Sequence, residues 1–370
     1  MFSFRQFLLK AYYFLILSVL LILLGSCEKG AQRKGDILNR NLPSAFGSVG
    51  SLNVIADSSI WKGPVGDSIR SYFGRYYPIL PQREESFTMR FFTPVDLNRR
   101  PVRKELTNFL ILSDYSDQTS PTTELTRQDL TGAVKDSTRL IKARNKWARD
   151  QMLLYLSAEG EQALIDQLRK YKEVIEREIL AHERILLEKE VYGAELHPVM
   201  QNRIRDSFGI DIKIPFYYQT AIDKENFLWI RGESEYVSRN IMFHRLPYQS
   251  QEQFTQEYIM SLRDSLGRNI SSTIEGSYMI VNDIDLPLYF ETKEINGHYA
   301  AVLDGIWEME NDFLGGPFTS HLMLSPDNDY LVFIDVFIHA PAKPKRDLMK
   351  QLKHIISTAE FTGNKSPGNE

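Results

Sequence analysis

The chain of 370 residues contains a single cysteine, Cys27. Without an internal disulfide, its stability has to come from buried apolar surface. Cys27 follows an apolar run over residues 11–24, which the basic residues Arg5 and Lys10 precede. A positive segment, an apolar segment and small residues before the cut form a secretory signal, and this run is shorter than the about 20 apolar residues of a spanning helix. We therefore predict that residues 1–26 are a signal peptide removed on export.

The segment Leu24-Gly25-Ser26-Cys27 resembles the processing site of bacterial lipoproteins. This resemblance implies a lipid anchor: a diacylglyceryl thioether on Cys27 with an N-acyl chain, palmitate being typical. Each buried methylene contributes about 0.8 kcal/mol, and two chains suffice for stable anchoring. The lipid bilayer is then a partner of the chain through acylated Cys27. A retained transmembrane helix is the alternative, which the short run disfavours.

Composition narrows the possible partners. The formal net charge is −4, and 44 basic and 48 acidic residues are mixed along the chain without a basic stripe. A nucleic-acid binder would show such a stripe with interleaved aromatic residues, so we expect no nucleic-acid partner. With 43% hydrophobic and 12% aromatic residues the chain is of ordinary globular composition, and it is long enough for two cores.

The pattern of apolar runs divides the chain into segments. Polar residues interrupted by glycines predict a flexible tether over residues 27–50, whereas a stretch at residues 116–137 has a disordered-looking composition. We predict an N-terminal α+β module over residues 51–190, a helical connector over 191–224, a C-terminal α+β module over 225–360 and a polar tail over 361–370.

The two predicted modules look alike at one point. Residues 151–157 read as a strand followed by a helix with apolar positions Leu164, Leu168 and Ile175, and residues 332–338 read as a strand followed by a similar helix. We therefore predict an α+β fold of two similar ferredoxin-like modules with mainly antiparallel sheets, joined by a long helix.

Residues 303–318 contain the segments Gly305-Ile306-Trp307 and Gly315-Gly316-Pro317-Phe318. They resemble a family of Bacteroidota lipoproteins known only as a domain of unknown function. Further matching stretches lie at residues 61–67, 80–84, 145–148, 208–215 and 226–231. The resemblance covers essentially the whole mature chain. It implies no activity, so it supplies no catalytic residue.

The residues after Cys27 bear on localisation. In bacteria related to that family, lipoproteins exported to the surface tend to carry acidic residues directly after the lipidated cysteine. Here Glu28 is followed by the basic residues Lys29, Arg33 and Lys34. The resemblance therefore implies an outer-membrane lipoprotein that faces the periplasm.

Several carboxylates near residue 308 are candidates for acid–base chemistry. Asp304, Glu308, Glu310 and Asp312 lie close together in the sequence, with His321 nearby. A carboxylate pair across a cleft can hydrolyse glycosidic bonds. Along a strand, however, alternate residues share a face, which is equally typical of a solvated sheet surface. The sequence therefore permits a hydrolase without specifying one.

Other catalytic and cofactor signatures are missing from the sequence. None of the seven histidines has the spacing of a helical zinc motif, and no Gly-x-Ser-x-Gly segment exists. We expect no catalytic residues, no metal and no cofactor, with a metal site from residues distant in the sequence as the alternative, since metal ligands need only converge in space.

Residues 305–318 are the candidate binding surface. They combine aromatic area, clustered acids and a Gly-Gly-Pro segment, which we predict to be a turn with glycine at positive φ. The candidate residues are Trp307, Glu308, Glu310, Asp312, Gly315, Gly316, Pro317 and Phe318. Trp307 and Phe318 could instead be core residues.

The interpretation that these features favour is a non-catalytic binding or assembly module of the cell envelope. Its partner would be an envelope protein or a cell-wall ligand near the outer membrane. The rival is a hydrolase of cell-wall glycan or polysaccharide that uses a carboxylate pair. Aromatic residues such as Trp229 and Tyr217 fit either a ligand groove or core packing.

Overall fold

The computed structural model describes residues 41–130, 138–284 and 286–362. The predicted signal peptide, the predicted lipidation site Cys27, the first part of the predicted tether and nearly all of the predicted polar tail lie outside these residues. Among the helices of the described residues, none is long and apolar enough to cross a bilayer.

Strands and short helices alternate in the first half of the chain, whereas strands dominate the second. The helices are α1 (Ser58–Lys62), α2 (Pro64–Phe73), α3 (Pro94–Arg99), α4 (Pro121–Asp129), α5 (Glu161–Tyr192), α6 (Pro198–Phe208), α7 (Gln256–Gly267) and α8 (Arg346–Ile356), with 3-10 turns at Pro101–Glu105 and Gln251–Phe254. The strands are β1 (Ser51–Ile55), β2 (Thr88–Phe92), β3 (Asn108–Asp114), β4 (Arg139–Arg144), β5 (Met152–Ala158), β6 (Ile210–Asp211), β7 (Gln219–Lys224), β8 (Phe227–Ser234), β9 (Val237–Pro247), β10 (Tyr278–Asn282), β11 (Tyr289–Ile295), β12 (His298–Glu310), β13 (Asp312–Leu324), β14 (Tyr330–His339) and β15 (Glu360–Phe361).

The chain divides into two compact units. Of the described residues, 41–69 and 89–175 form the N-terminal unit, and 70–88 and 176–362 form the C-terminal unit. The division thus falls within α2 and within α5, so each unit receives part of both helices. Residues 70–88 belong to the C-terminal unit although they lie early in the sequence.

The N-terminal unit contains a five-stranded sheet in the order β2-β1-β3-β5-β4. Strands β1, β3 and β5 run parallel, and β4 is antiparallel to β5. Every residue of β1 and β5 is buried, as expected for parallel strands that are covered on both faces. On one face the core contains Phe109, Leu153 and Tyr155.

The C-terminal unit is built on an antiparallel sheet in the order β10-β12-β13-β14-β9-β8-β7, with β11 paired along β12. Helix α7 packs on one face, where Ile259 joins a core with Trp307, Phe318 and Phe337. Helix α8 packs on the other face, and its Lys353 donates a hydrogen bond of 2.8 Å to Asp304 of β12. The sheet is therefore covered on both sides within this unit.

The α+β character of the prediction is confirmed, and the strand directions of its first half are wrong. The C-terminal sheet is antiparallel as predicted, whereas β1, β3 and β5 are parallel. Their uninterrupted apolar residues were the available signal, because strands buried on both faces lack polar alternation. Since the two sheets differ in strand order, two similar ferredoxin-like modules are not confirmed.

The stretch at residues 116–137, which has a disordered-looking composition, contains helix α4. Ser120 caps it by accepting a hydrogen bond from the backbone N–H of Thr123, and Pro121 occupies its first turn. The helix has few apolar residues, and the residues that it buries are the threonines Thr122, Thr123 and Thr126. A hydrophobic pattern therefore does not reveal it.

Candidate functional site

A cleft of about 470 Å³ lies at one end of the C-terminal sheet. Its lining residues come from four parts of the chain: residues 81 and 82, residues 282 and 286, residues 306–308 and 312–316 of the β12–β13 hairpin, and residues between 339 and 345. The candidate segment thus forms one wall. Five of its predicted residues line the cleft, namely Trp307, Glu308, Asp312, Gly315 and Gly316.

Trp307 is mostly a core residue that reaches the cleft with little of its surface. It is 3% exposed, and its indole N–H donates a hydrogen bond of 3.2 Å to the carbonyl oxygen of Ile338. Its ring lies 5.6 Å from that of Phe337 and 6.3 Å from that of His339. The indole therefore joins β12 to β14 across the intervening strand β13.

The Gly-Gly-Pro segment lies within strand β13, so the predicted turn is wrong. A Cβ atom on Gly316 would stand 2.0 Å from the Ile338 carbonyl oxygen and 3.1 Å from the Trp307 indole nitrogen. The glycine is required because the indole and the neighbouring strand occupy the space of a side chain. The residue at positive φ is Asn311, with φ of 61°, which forms the turn between β12 and β13.

Two carboxylates face the cleft from this hairpin. Asn282 of β10 donates a hydrogen bond of 2.7 Å to Glu308, and the backbone N–H of Phe313 donates one of 2.7 Å to Asp312. Within the described residues, neither carboxylate has a basic side chain at ion-pair distance. Each of these hydrogen bonds comes from an uncharged N–H group.

The opposite charge in the cleft comes from Lys345, which precedes α8. This residue is only 3% exposed, and its ammonium donates to the side-chain oxygen of Gln82 at 3.3 Å and to the carbonyl oxygen of Lys343 at 2.9 Å. Burial lowers the pKa of Lys345, and nearby Glu84 opposes that shift. Among the residues that the structure describes, Lys345 has no ion-pair partner.

His339 completes the polar lining at the end of β14. Burial, and then the neighbouring positive charge of Lys345, lower the pKa of its imidazole. His339 is therefore neutral at pH 7, and one of its ring nitrogens is a donor while the other is an acceptor.

Glu84 holds the wall that carries Lys345. Its carboxylate accepts hydrogen bonds of 2.6 Å and 3.1 Å from the backbone N–H groups of Lys345 and Arg346. The N–H groups at the start of a helix lack partners within the helix and favour negative charge, so Glu84 caps α8. This is a structural reason for the segment 80–84 that the family resemblance contains.

The remaining candidate residues lie away from the cleft. Pro317 and Phe318 are buried in β13, and the guanidinium of Arg263 stacks 3.8 Å from the centre of the Phe318 ring. Glu310 does not line the cleft. Asp304 and His321 lie on neighbouring strands facing α8, so the sheet separates them from Trp307. The five residues of the predicted acid–base set do not converge.

A second groove in the same unit, of about 500 Å³, lies at the β7–β8 edge of the sheet. Arg231 stacks 5.6 Å from the Trp229 ring centre and forms an ion pair with Glu233. The charges of this groove therefore compensate each other, in contrast to those of the first cleft. Trp229 of the predicted aromatic set belongs partly to the core, where it packs on Phe337.

Sequence reasoning missed Gln82, Asn282, His339 and Lys345. They come from different segments of the chain, and only the fold brings them beside Trp307. Lys345 follows Pro344 in a segment of exposed-looking composition, so nothing in the sequence indicated that it is buried. Within the described residues, no cluster of three or more histidine, cysteine or carboxylate side chains could hold a metal ion.

Comparisons with known proteins match both halves of the chain to domains without a known function. Residues 197–358 match a domain of unknown function, DUF4837, and residues 45–192 match another, DUF8532. These matches are consistent with a family of unknown function. None of the curated proteins matches the chain.

Two solved structures illustrate how distant the structural relatives are. The Ran-binding protein Mog1p of Saccharomyces cerevisiae is 9% identical, with 41% of this chain and 90% of Mog1p covered and a TM-score of 0.28. The lipid transfer and protein localization domain of human StarD13 is 9% identical, with 44% and 90% covered and a TM-score of 0.20. At these TM-scores neither likeness carries an argument about fold or function.

Proposed function

We propose that the chain is a lipid-anchored protein of the cell envelope that binds an envelope component in the cleft beside Trp307 without transforming it. The observation that carries this proposal is that charged side chains of both signs line the cleft and form no ion pair within the described residues. Lys345, Glu308 and Asp312 line one cleft, and none of them has an ion-pair partner within the described residues. Charged groups in a concave site that the protein does not pair are available to a ligand of complementary charge.

The location is part of the same proposal. The signal peptide and Cys27 predict an acylated N-terminus, and the basic residues after Glu28 favour the periplasmic face of the outer membrane. Ser44 already pairs with Arg149, so a tether of about 16 residues after Cys27 would reach roughly 22 Å and hold the folded part close to the membrane surface.

A hydrolase of cell-wall glycan is the second candidate, because Glu308 and Asp312 line the same cleft. Such an enzyme needs one carboxyl group to donate a proton while the other acts as base or nucleophile. Here each carboxylate already accepts a hydrogen bond from a neutral N–H group, an arrangement that suits ligand binding. We therefore favour binding.

Photocrosslinking in intact cells tests the binding function. A photoreactive phenylalanine analogue replaces Phe313, which is fully exposed at the cleft, and the control carries it at Val199, which is 73% exposed on α6 outside the cleft. We expect an adduct with an envelope component from position 313 only, reduced by the additional change Lys345→Met. Equal adducts from both positions, or none from position 313, would contradict the proposal.

A cell-wall digestion assay tests the hydrolase. Purified protein is incubated with isolated cell walls, and soluble sugar fragments are measured for the wild type and for Glu308→Gln. We expect no release from either protein. Release by the wild type that Glu308→Gln abolishes would replace the binding function by hydrolysis.

A further inference from the structure

We infer that the cleft binds a short zwitterionic peptide, with its carboxylate against Lys345 and its amino group against Glu308 and Asp312. This inference rests on the proposed binding function and names the class of ligand. The observation behind it is that one cleft presents both signs of charge without pairing them. In the second groove, by contrast, Arg231 and Glu233 pair directly.

The two signs of charge stand on different segments of the chain. Lys345 belongs to the segment before α8, which Glu84 and Gln82 hold in place. Glu308 and Asp312 belong to the β12–β13 hairpin, and Asn282 fixes the Glu308 carboxylate. A ligand with one charge would compensate only one side, whereas a zwitterion compensates both.

Lys345 has the hydrogen-bonding capacity that a carboxylate requires. An ammonium group has three N–H donors, and two of those of Lys345 point to the oxygens of Gln82 and Lys343. The third donor and the positive charge remain for a ligand. The nearby Glu84 carboxylate accepts from the backbone N–H groups of Lys345 and Arg346 and forms no ion pair with the ammonium. A buried ammonium gains from an anionic ligand because the surroundings screen its charge weakly.

The other lining residues suit the aliphatic and backbone parts of a peptide. Leu286, Leu314 and Pro341 supply apolar surface, and exposed Gly315 lets a ligand approach the backbone of β13. A cleft of about 470 Å³ is within the usual size range for small ligands. A neutral saccharide would fill this space but would form no ion pair with Lys345.

Calorimetric titration of the purified full-length protein in detergent tests the inference. The probes are the tripeptide Ala-Leu-Ala with free ends, its N-acetylated form and its C-terminal amide. We expect each blocked form to bind at least about tenfold more weakly, since each loses one charged contact. Dipeptide and tetrapeptide probes give the optimal spacing of the two charges.

Variants assign each end of the peptide to its residue. Lys345→Met should weaken the free tripeptide about tenfold and leave the already weak amide unchanged. Asp312→Asn should likewise weaken the free tripeptide about tenfold, because the contact with its amino group is lost. The affinity of the already weak N-acetylated tripeptide should stay unchanged. Glu233→Gln in the second groove is the matched control and should leave all affinities unchanged. If Lys345→Met does not fold, the inference is tested by the three tripeptides on the wild type and on Asp312→Asn, which changes a half-exposed residue.

Equal affinity for free and blocked tripeptides would overturn the inference, and so would no binding of the peptides at millimolar concentration. Either result leaves the proposed binding function standing if the crosslink from position 313 forms. A missing crosslink together with charge-dependent peptide binding would instead reject the envelope partner and retain the peptide site.

Discussion

Gly316 sets how closely the strands beside the cleft approach one another. Its α-carbon lies below the hydrogen bond from the Trp307 indole to the Ile338 carbonyl oxygen. A side chain at this position would enter the space between donor and acceptor. The Gly-Gly segment of the family resemblance is thus a packing requirement of the cleft wall.

Gly316→Ala is therefore expected to destabilise the C-terminal unit by about 2 kcal/mol, from overpacking and the lost hydrogen bond. Denaturant unfolding followed by circular dichroism measures this. Gly276→Ala is the control, because its added Cβ meets nothing within 4 Å although its φ is 75°. That variant should cost only about 1 kcal/mol through its backbone. Equal losses for the two variants would refute the packing role of Gly316.

His321 makes the stability of the C-terminal unit depend on pH. It is 6% exposed on β13, and burial, followed by the positive charges of Lys353 and Lys293, lowers its pKa from 6.5 to about 3. The unfolded chain therefore takes up a proton between pH 6.5 and 3 that the folded chain does not. The stability that neutral His321 contributes is complete above pH 6.5 and is lost as the pH falls toward 3.

We expect His321→Gln to reduce this acid sensitivity. Between pH 6.5 and 4.5, the wild type should lose about 2 kcal/mol more of its free energy of unfolding than the variant. Denaturant unfolding of both proteins at a series of pH values gives the two slopes. His244 and His339 also have lowered pKa values and remain in both proteins. Parallel slopes would show that His321 does not control the loss.

At the scale of elements, an ion pair in the core fixes α7 on the sheet. Arg263 of α7 and Asp335 of β14 are fully buried, with 3.0 Å between the guanidinium Nε and the carboxylate. Ser320 of β13 donates a further hydrogen bond of 2.6 Å to Asp335. Burial raises the pKa of Asp335, and Arg263 and Ser320 oppose this shift. Because removing two charges from water costs about as much as their attraction returns, we expect the pair to specify the position of α7 more than it adds stability.

Removing one partner should therefore cost more than removing both. Arg263→Met alone leaves a buried carboxylate and is expected to lower the free energy of unfolding by about 3 to 5 kcal/mol. The double variant Arg263→Met with Asp335→Leu should recover most of that loss. Thermal and denaturant unfolding of the two single variants and the double variant form the cycle. A double variant as unstable as the sum of the single ones would contradict this explanation.

At the scale of the whole molecule, the predicted lipid anchor would determine at which membrane the cleft acts. We expect Cys27→Ala to release the protein from the membrane fraction, because the thiol that would carry the diacylglyceryl group is lost. Membrane fractionation with immunodetection measures the release, and Ser26→Ala, which keeps a small residue before the cut, is the control. If Cys27→Ala sediments with outer membranes as fully as the wild type, the anchor assignment is wrong.

The sequence by itself determined two strand–helix units, because the period of apolar residues is a local property. It predicted the strands around β5 and β14 and the helices that follow them, and it identified five residues of the cleft wall because they lie within one hairpin. The period of apolar residues does not predict α4, because its buried residues are threonines and form no apolar stripe. Cys27 likewise follows from local sequence alone.

Only the tertiary structure decided which strands are neighbours and which charged residues line the same cleft. The parallel pairing of β1, β3 and β5 depends on crossover connections that apolar periodicity does not encode. Lys345 and Gln82 are separated by more than 250 residues, yet both line the cleft with Glu308. An isolated lysine and an isolated glutamate are ordinary surface residues in a sequence. Burial in one cleft without ion-pair partners is what makes them a candidate site.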